Sequence, residues 1–122
     1  MSYGKELILD LHDCDPDMFT RDDIRIFFLD LCEEIDMEPC KRSWWDYEGD
    51  PDEYAKAPDH LKGTSAVQFI STSNITIHTL DILKKVYINI FSCKEFDSLV
   101  AANFCAEFFK GNIIKYFTID RE

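Results

Sequence analysis

Thr64–Cys93 reads TSAVQFISTSNITIHTLDILKKVYINIFSC, and this stretch decides the fold. It holds three short strand-like runs. Between Ser73 and His78 polar and apolar residues alternate. Asn74, Thr76 and His78 fall on one face, and Ile75 and Ile77 on the other. Val86 to Phe91 is again rich in β-formers, and Cys93 closes the run. Four polar residues stand out: Ser65, Ser73, His78 and Cys93. A hydroxyl, an imidazole and a thiol at strand ends can make a reactive site, or they can be ordinary strand residues.

Working outward, Gly63–Thr72, Ser73–Leu80 and Lys85–Cys93 read as strands three, four and five, the last two joined by Asp81–Lys84. Upstream, Lys5–His12 reads as the first strand, with Leu7, Leu9 and Leu11 on one face. Asp13–Asp17, with Pro16, is a turn. Thr20 is placed to cap a helix, with Asp23 three residues on completing a capping-box pattern. That helix is expected over 21–35, with an apolar stripe of Ile24, Phe27, Phe28, Leu31 and Ile35. Pro39 blocks its simple continuation. Cys40–Tyr47 reads as strand two, in which Trp44 and Trp45 point oppositely. One is expected in the core, the other at a lid, a stacking surface or a subunit contact.

Glu48–Lys62 is acidic and carries Gly49, Pro51 and Pro58, so it reads as an exposed loop with room for one helical turn. His60 within it reads as a solvated histidine. Downstream, Phe96, Leu99, Val100, Phe104 and Phe108 mark a second amphipathic helix over 95–110, stopped by Gly111-Asn112. Ile113–Ile119 is a last strand. The order β-α-β-β-β-β-α-β points to an α+β two-layer sandwich, an antiparallel sheet with two helices packed on one face. No sequence repeat is present.

A chain of 122 residues is expected to form a single domain. Its ten phenylalanines and 46% hydrophobic residues supply a core. A net charge of −11 argues against nucleic acid or an anionic membrane as partner. No apolar run reaches the roughly 20 residues of a membrane span, and no signal peptide is visible. The five cysteines (Cys14, Cys32, Cys40, Cys93, Cys105) are scattered, without zinc-ligand spacing, so no metal is expected. Reduced thiols and a cytoplasmic location are the expectation.

The stretch from Thr72 to Thr79, Thr-Ser-Asn-Ile-Thr-Ile-His-Thr, and the Phe91-Ser92-Cys93 that follows resemble the short prokaryotic form of the pyruvoyl-dependent S-adenosylmethionine decarboxylases. That family typically reads Glu-Ser-His-(Ile/Leu)-(Ser/Thr)-Ile-His-Thr, then Phe-Thr-Cys after the next strand. The serine-to-histidine and serine-to-cysteine spacings agree. Gly4 to Asp15, with its Asp13-Cys14-Asp15 turn, is similar to the family's opening strand. The likeness is weakest from Cys40 to Lys62, where this chain is longer, and in the last twenty or so residues.

The resemblance implies that the protein makes its own cofactor. Ser73 would attack the carbonyl of Thr72 to give an ester. β-Elimination would then cut the chain at the Thr72-Ser73 processing site and leave a pyruvoyl group derived from Ser73. That ketone would take up the amine of S-adenosylmethionine, or of a related amino acid, and act as an electron sink as CO₂ leaves. His78 would take the proton in the elimination, Ser65 would support the processing intermediate, and Cys93 would reprotonate the product. All three are expected beside Ser73, on neighbouring strands. The resemblance also implies a homodimer with its sites near the subunit contact, a role in polyamine biosynthesis, and no nucleic-acid or membrane partner.

The sequence departs from the family at three places. Thr72 stands where a glutamate usually precedes the serine, and its β-branch stiffens the carbonyl to be attacked. Asn74 replaces a histidine. Leu80-Asp81-Ile82 replaces an aromatic, a proline and a glutamate that helps hold substrate. Ile82 cannot do that, although Asp81 is near enough to be considered. The second reading is therefore a non-processing homologue that binds a ligand or regulates a partner subunit.

Overall fold

The strands alternate because one face of each is wanted in a core and the other is not. In the computed structural model, which describes residues 2–122, six strands form one sheet: β1 Gly4–His12, β2 Pro39–Trp45, β3 Gly63–Ile70, β4 Ser73–Leu80, β5 Lys85–Ser92 and β6 Asn112–Arg121. Their order across the sheet is β2-β3-β4-β5-β1-β6, and every neighbouring pair is antiparallel. Leu7, Leu9 and Leu11 of β1, Ile75 and Ile77 of β4, and Val86, Ile88 and Ile90 of β5 are fully buried. They make one apolar face. Helices α1, Arg21–Glu34, and α3, Ser98–Phe109, cover it. The architecture is the expected α+β sandwich, with a third, short helix α2, Pro51–Lys56, and 3-10 turns at Pro16–Met18 and Asp59–Leu61.

Phe27 of α1 is the centre of the core. Its ring lies 4.7 Å from that of Phe109, 5.3 Å from Phe108, 5.7 Å from Phe28 and 6.1 Å from Phe104, measured between centroids. The first turn of α1 is capped as its sequence suggests. Thr20 Oγ1 accepts from the Asp23 N–H at 3.1 Å and donates to the Asp23 carboxylate at 2.6 Å. Asp36, at φ 57°, turns the chain out of the helix.

The second large helix differs from the expected one. Asp97 caps it, accepting from the N–H groups of Leu99 and Val100, so it begins at Ser98 and Phe96 lies outside it. Its buried face is Ala101, Ala102, Cys105 and Phe109, while Leu99 is 57% and Val100 40% exposed. Ala101 and Ala102 bring the helix close to the sheet, Phe104 and Phe108 of the expected stripe pack against Phe27, and Leu99 and Val100 are turned outward. The stop differs too. Lys110 adopts the left-handed conformation, at φ 54°. Gly111 is needed for room: a Cβ there would come within 2.4 Å of Cys14 Sγ.

At one sheet edge, β2 begins on Pro39 and its register with β3 is irregular between Pro39 and Arg42. Gln68, fully buried, repairs the irregularity. Its amide donates to the carbonyls of Cys40 at 3.1 Å and Phe69 at 2.9 Å, and its oxygen accepts from Arg42 Nε at 2.8 Å. Trp44 turns toward Phe28 and Trp45 is 83% exposed, opposite as expected. At the other edge every residue of β6 is exposed. No helix is long and apolar enough to cross a membrane among the described residues.

The reassigned face of α3 has a direct test in urea unfolding. Leu99→Ala should change stability by less than about 0.5 kcal/mol. Ala102→Leu should cost about 1–3 kcal/mol by overpacking. The reverse order would restore the Leu99/Val100 face as the buried one.

Candidate active site

The β3–β4 hairpin turns on two residues, Ser71 and Thr72, with Ile70 paired to Ser73. Closing so tight a turn puts Thr72 at φ 62°. A left-handed backbone is unusual for a β-branched residue and costs about 1–3 kcal/mol. The strain lies on the residue whose carbonyl precedes Ser73.

Cys93 follows the end of β5, directly beside this turn. Its backbone N–H donates to Ser73 Oγ at 3.2 Å, and the Ser73 hydroxyl points at Cys93 Sγ, 4.0 Å away. Thr72 Oγ1 lies 2.9 Å from the same sulfur and 2.6 Å from the Ser71 carbonyl oxygen. Hydrogen bonds from Thr72, then Ser73 and Tyr3, hold the Cys93 thiol below its ordinary pKa. Burial does the reverse elsewhere, pushing Cys14 and Cys32 up to about 11. Cys93 opens into a recess of about 280 Å³ whose charged and phenolic members are Tyr3, Lys5, Lys94, Glu95 and Asp120.

Ser65 and His78 form a separate pair. They are register partners on β3 and β4, and Ser65 Oγ lies 2.8 Å from His78 Nδ1. Trp45, paired with Ser65 across the β2–β3 ladder, stands over a groove of about 250 Å³ with them. The expectation that all four residues gather beside Ser73 therefore fails within one chain. His78 is five residues along β4 from Ser73, roughly 16 Å at strand spacing. An odd interval also sends the two side chains to opposite faces: Ser73 is buried and His78 exposed.

Between the two pairs the open face carries a cluster that sequence reasoning missed. Glu6 accepts from Arg121 at 2.7 Å and from the Asn89 amide at 3.1 Å, and the Arg121 guanidinium lies 5.7 Å from the Phe91 ring centroid. The available signal was a polar residue among apolar ones on each strand: Glu6 near the start of β1, Asn89 within β5 and Arg121 at the end of β6. What hid it is that β1, β5 and β6 are far apart in sequence.

Asp81 is not free to serve a ligand. Its carboxylate accepts from the Tyr54 hydroxyl at 2.7 Å, tying α2 to the β4–β5 turn. Burial raises the Asp81 pKa against the opposing pull of that hydrogen bond, and burial with Asp81 pushes Tyr54 up to about 12. Ile82 is 50% exposed and donates nothing. The start of α1 is braced separately. Arg21 holds both oxygens of Asp46, at 2.7 and 2.9 Å, and keeps that carboxyl below its usual range. His60 sits exposed in a 3-10 turn. Among the described residues no group of three or more His, Cys, Asp or Glu is arranged to hold a metal ion.

Fold and site together define a two-layer α+β protein with one bare sheet face and a serine–cysteine contact at a strained hairpin end. The family model described as S-adenosylmethionine decarboxylase matches residues 5–122, and the chain belongs to that family. It is similar to the crystal structure of the adenosylmethionine decarboxylase from Aquifex aeolicus VF5, with a TM-score of 0.75 over 98% of this chain and 91% of that one. Sequence identity is 16%, so this likeness speaks to the fold. No curated protein sequence matches the chain.

Asp81 gives a pH test. Its folded pKa is raised, so its contribution to stability is fully present below the unfolded value of about 4 and is lost as pH rises through the folded one. Asp81→Asn keeps an acceptor for Tyr54 and removes the buried charge. Thermal unfolding should show the variant at least as stable as wild type at pH 7, with a smaller loss of stability between pH 4 and pH 7. A variant clearly less stable at pH 7 would mean that the charge itself holds α2.

Proposed function

We propose that this chain is a self-processing, pyruvoyl-dependent S-adenosylmethionine decarboxylase, and that two copies complete its active site. The observation that carries the reading is the contact at the hairpin end: Ser73 Oγ is pinned by the Cys93 N–H immediately after a left-handed Thr72. A fixed hydroxyl beside a strained peptide is suited to attack on that peptide's carbonyl.

The chemistry then proceeds on this chain's own atoms. A bond forms from Ser73 Oγ to the Thr72 carbonyl carbon, and the Thr72–Ser73 C–N bond breaks, leaving an ester and a free Ser73 amine. Loss of the Ser73 Cα proton expels the ester oxygen with Thr72 as a carboxylate. Water then replaces the resulting enamine nitrogen, which leaves as ammonia, and the new N-terminus is the pyruvoyl group. That group supplies an electron sink for loss of CO₂ from a substrate amine. The residues fit such a group: Ser73 provides its atoms, and Cys93 stands within reach to return a proton.

His78 and Ser65 supply the proton-accepting pair, from the second copy. Two features support this. The distance of His78 from Ser73 along β4 is too great for proton transfer within one chain, and Ser65 on β3 stays with His78. The open face also exposes large apolar residues, among them Trp45, Phe69 and Phe117, in a fold whose other face is sealed. Packing two such faces about a two-fold axis near the middle of β4 would bring the His78 end of one copy to the Thr72–Ser73 turn of the other, at the sheet end where Ser73 itself points to the sealed face. The five cysteines are unpaired, in keeping with a reducing cytoplasm.

One observation favours a second reading, of a changed substrate or a non-processing binding subunit. The position of the family's substrate-holding glutamate carries Ile82, and Asp81 is occupied by Tyr54.

Intact-mass spectrometry decides whether the chain processes itself, and release of CO₂ from S-adenosylmethionine by the processed chain decides the substrate. The purified chain should appear as fragments 1–72 and 73–122, the second lacking a free amine. Ser73→Ala should remain whole, and His78→Ala should stall at an ester that hydroxylamine cleaves. A wild-type chain that stays whole while natively folded rejects self-processing. Mixing tests the shared site. His78→Ala chains should be processed when refolded together with Ser73→Ala chains, which still carry His78. Absence of rescue, with dimers present by sedimentation, would place the whole site in one chain.

A further inference from the structure

The residue before Ser73 does more than offer its carbonyl. We infer that Thr72 is a positioning residue for Cys93, its hydroxyl serving as a reversible hydrogen-bond partner that supports the sulfur both with and without its proton. The inference rests on the proposed function for its importance, and on geometry for its content.

Thr72 Oγ1 has one hydrogen and two partners that can receive it. The Ser71 carbonyl oxygen is 2.6 Å away and Cys93 Sγ is 2.9 Å away. With Cys93 as a thiol, the Thr72 hydroxyl donates to Ser71 and accepts the S–H. With Cys93 as a thiolate, the hydroxyl turns its hydrogen to the sulfur, and only the bond to Ser71 is given up. A side chain that returns a proton to a product must pass through both states and back. A partner able only to accept would oppose the thiolate, and one able only to donate would oppose the thiol. A hydroxyl does both with little movement.

The backbone locks this arrangement. Thr72 is held at φ 62° by the two-residue turn, and the Asn74–Phe91 pairing joins the adjoining ends of β4 and β5, so the two strand ends stay in place without the Ser73 hydroxyl. The lowered pKa of Cys93, caused first by Thr72, agrees with the donating arm. Around the sulfur, Lys5 and Lys94 balance Glu95 and Asp120 in charge, and the Ser73 hydroxyl is 4.0 Å away against 2.9 Å for Thr72, so the Thr72 hydroxyl is the closer contact.

The test uses Ser73→Ala chains, which cannot be processed, and follows iodoacetamide alkylation of Cys93 against pH by peptide mass spectrometry. Exposed Cys40 is the internal control. Adding Thr72→Val should slow Cys93 alkylation near neutral pH by roughly threefold or more, because the thiolate loses its donor. Thr72→Ser should stay within about twofold of the parent. Thr72→Gly, which relieves the left-handed strain but has no hydroxyl, should be as slow as Thr72→Val. Parental rates in Thr72→Val would overturn the inference. So would slow Thr72→Val with full recovery in Thr72→Gly, since backbone shape and not the hydroxyl would then be responsible. Processing is read on a different measurement, the mass of the wild-type chain, so either conclusion can fail without the other.

Discussion

Burial of a single face of the sheet is the constraint on which the rest depends. Strand side chains alternate with period two, so sealing Ile75, Ile77, Ile88 and Ile90 beneath the Phe27 cluster also decides where every other side chain of β4 and β5 points. A slip of one residue in β4 would expose two fully buried isoleucines, each contributing about 1.5–3 kcal/mol. The register is locked by that cost. Ser73 is therefore directed inward at one end of β4 and His78 outward near the other. The chemistry of the site follows from where apolar volume had to go.

The same burial sustains the hairpin. A two-residue connection between β3 and β4 keeps Ile70 opposite Ser73, and it does so by driving Thr72 into a conformation that a β-branched residue resists. The cost of one strained residue is small beside the ladder and core it completes. What results is a carbonyl, a hydroxyl and a thiol in a space that no loop would hold so closely. Lys5 helps to fix the neighbouring segment. Its ammonium donates to the Phe96 carbonyl oxygen at 2.6 Å and lies 4.7 Å from the Phe96 ring centroid.

The opposite face shows what one sealed layer leaves undone. It mixes aromatic residues with the Glu6, Asn89 and Arg121 cluster. Both long edges are blunted, β2 by Pro39 and its irregular register, β6 by Lys115, Asp120 and Arg121 along with a bulge between its pairings to Asp10 and Leu11.

The sequence by itself determined the strands, the first helix and its cap, the antiparallel α+β class and the family. These rest on local signals: alternation, a Thr20–Asp23 cap, an apolar stripe and a motif of fixed spacing. It also picked out Ser65, Ser73, His78 and Cys93 as the residues to watch. Tertiary structure alone decided how they are grouped. Residues close in sequence on one strand diverge in space, since an extended chain carries them apart at about 3.3 Å per residue. Cys93, twenty positions from Ser73, comes back beside it because β4 and β5 are antiparallel. Of the stripe expected for α3, Phe104 and Phe108 do pack against the core, but Leu99 and Val100 face out, because the space against the sheet at that turn admits only Ala101 and Ala102. Asp81 looked available in the sequence, but Tyr54, from the acidic segment read as a loop with room for one helical turn, holds it.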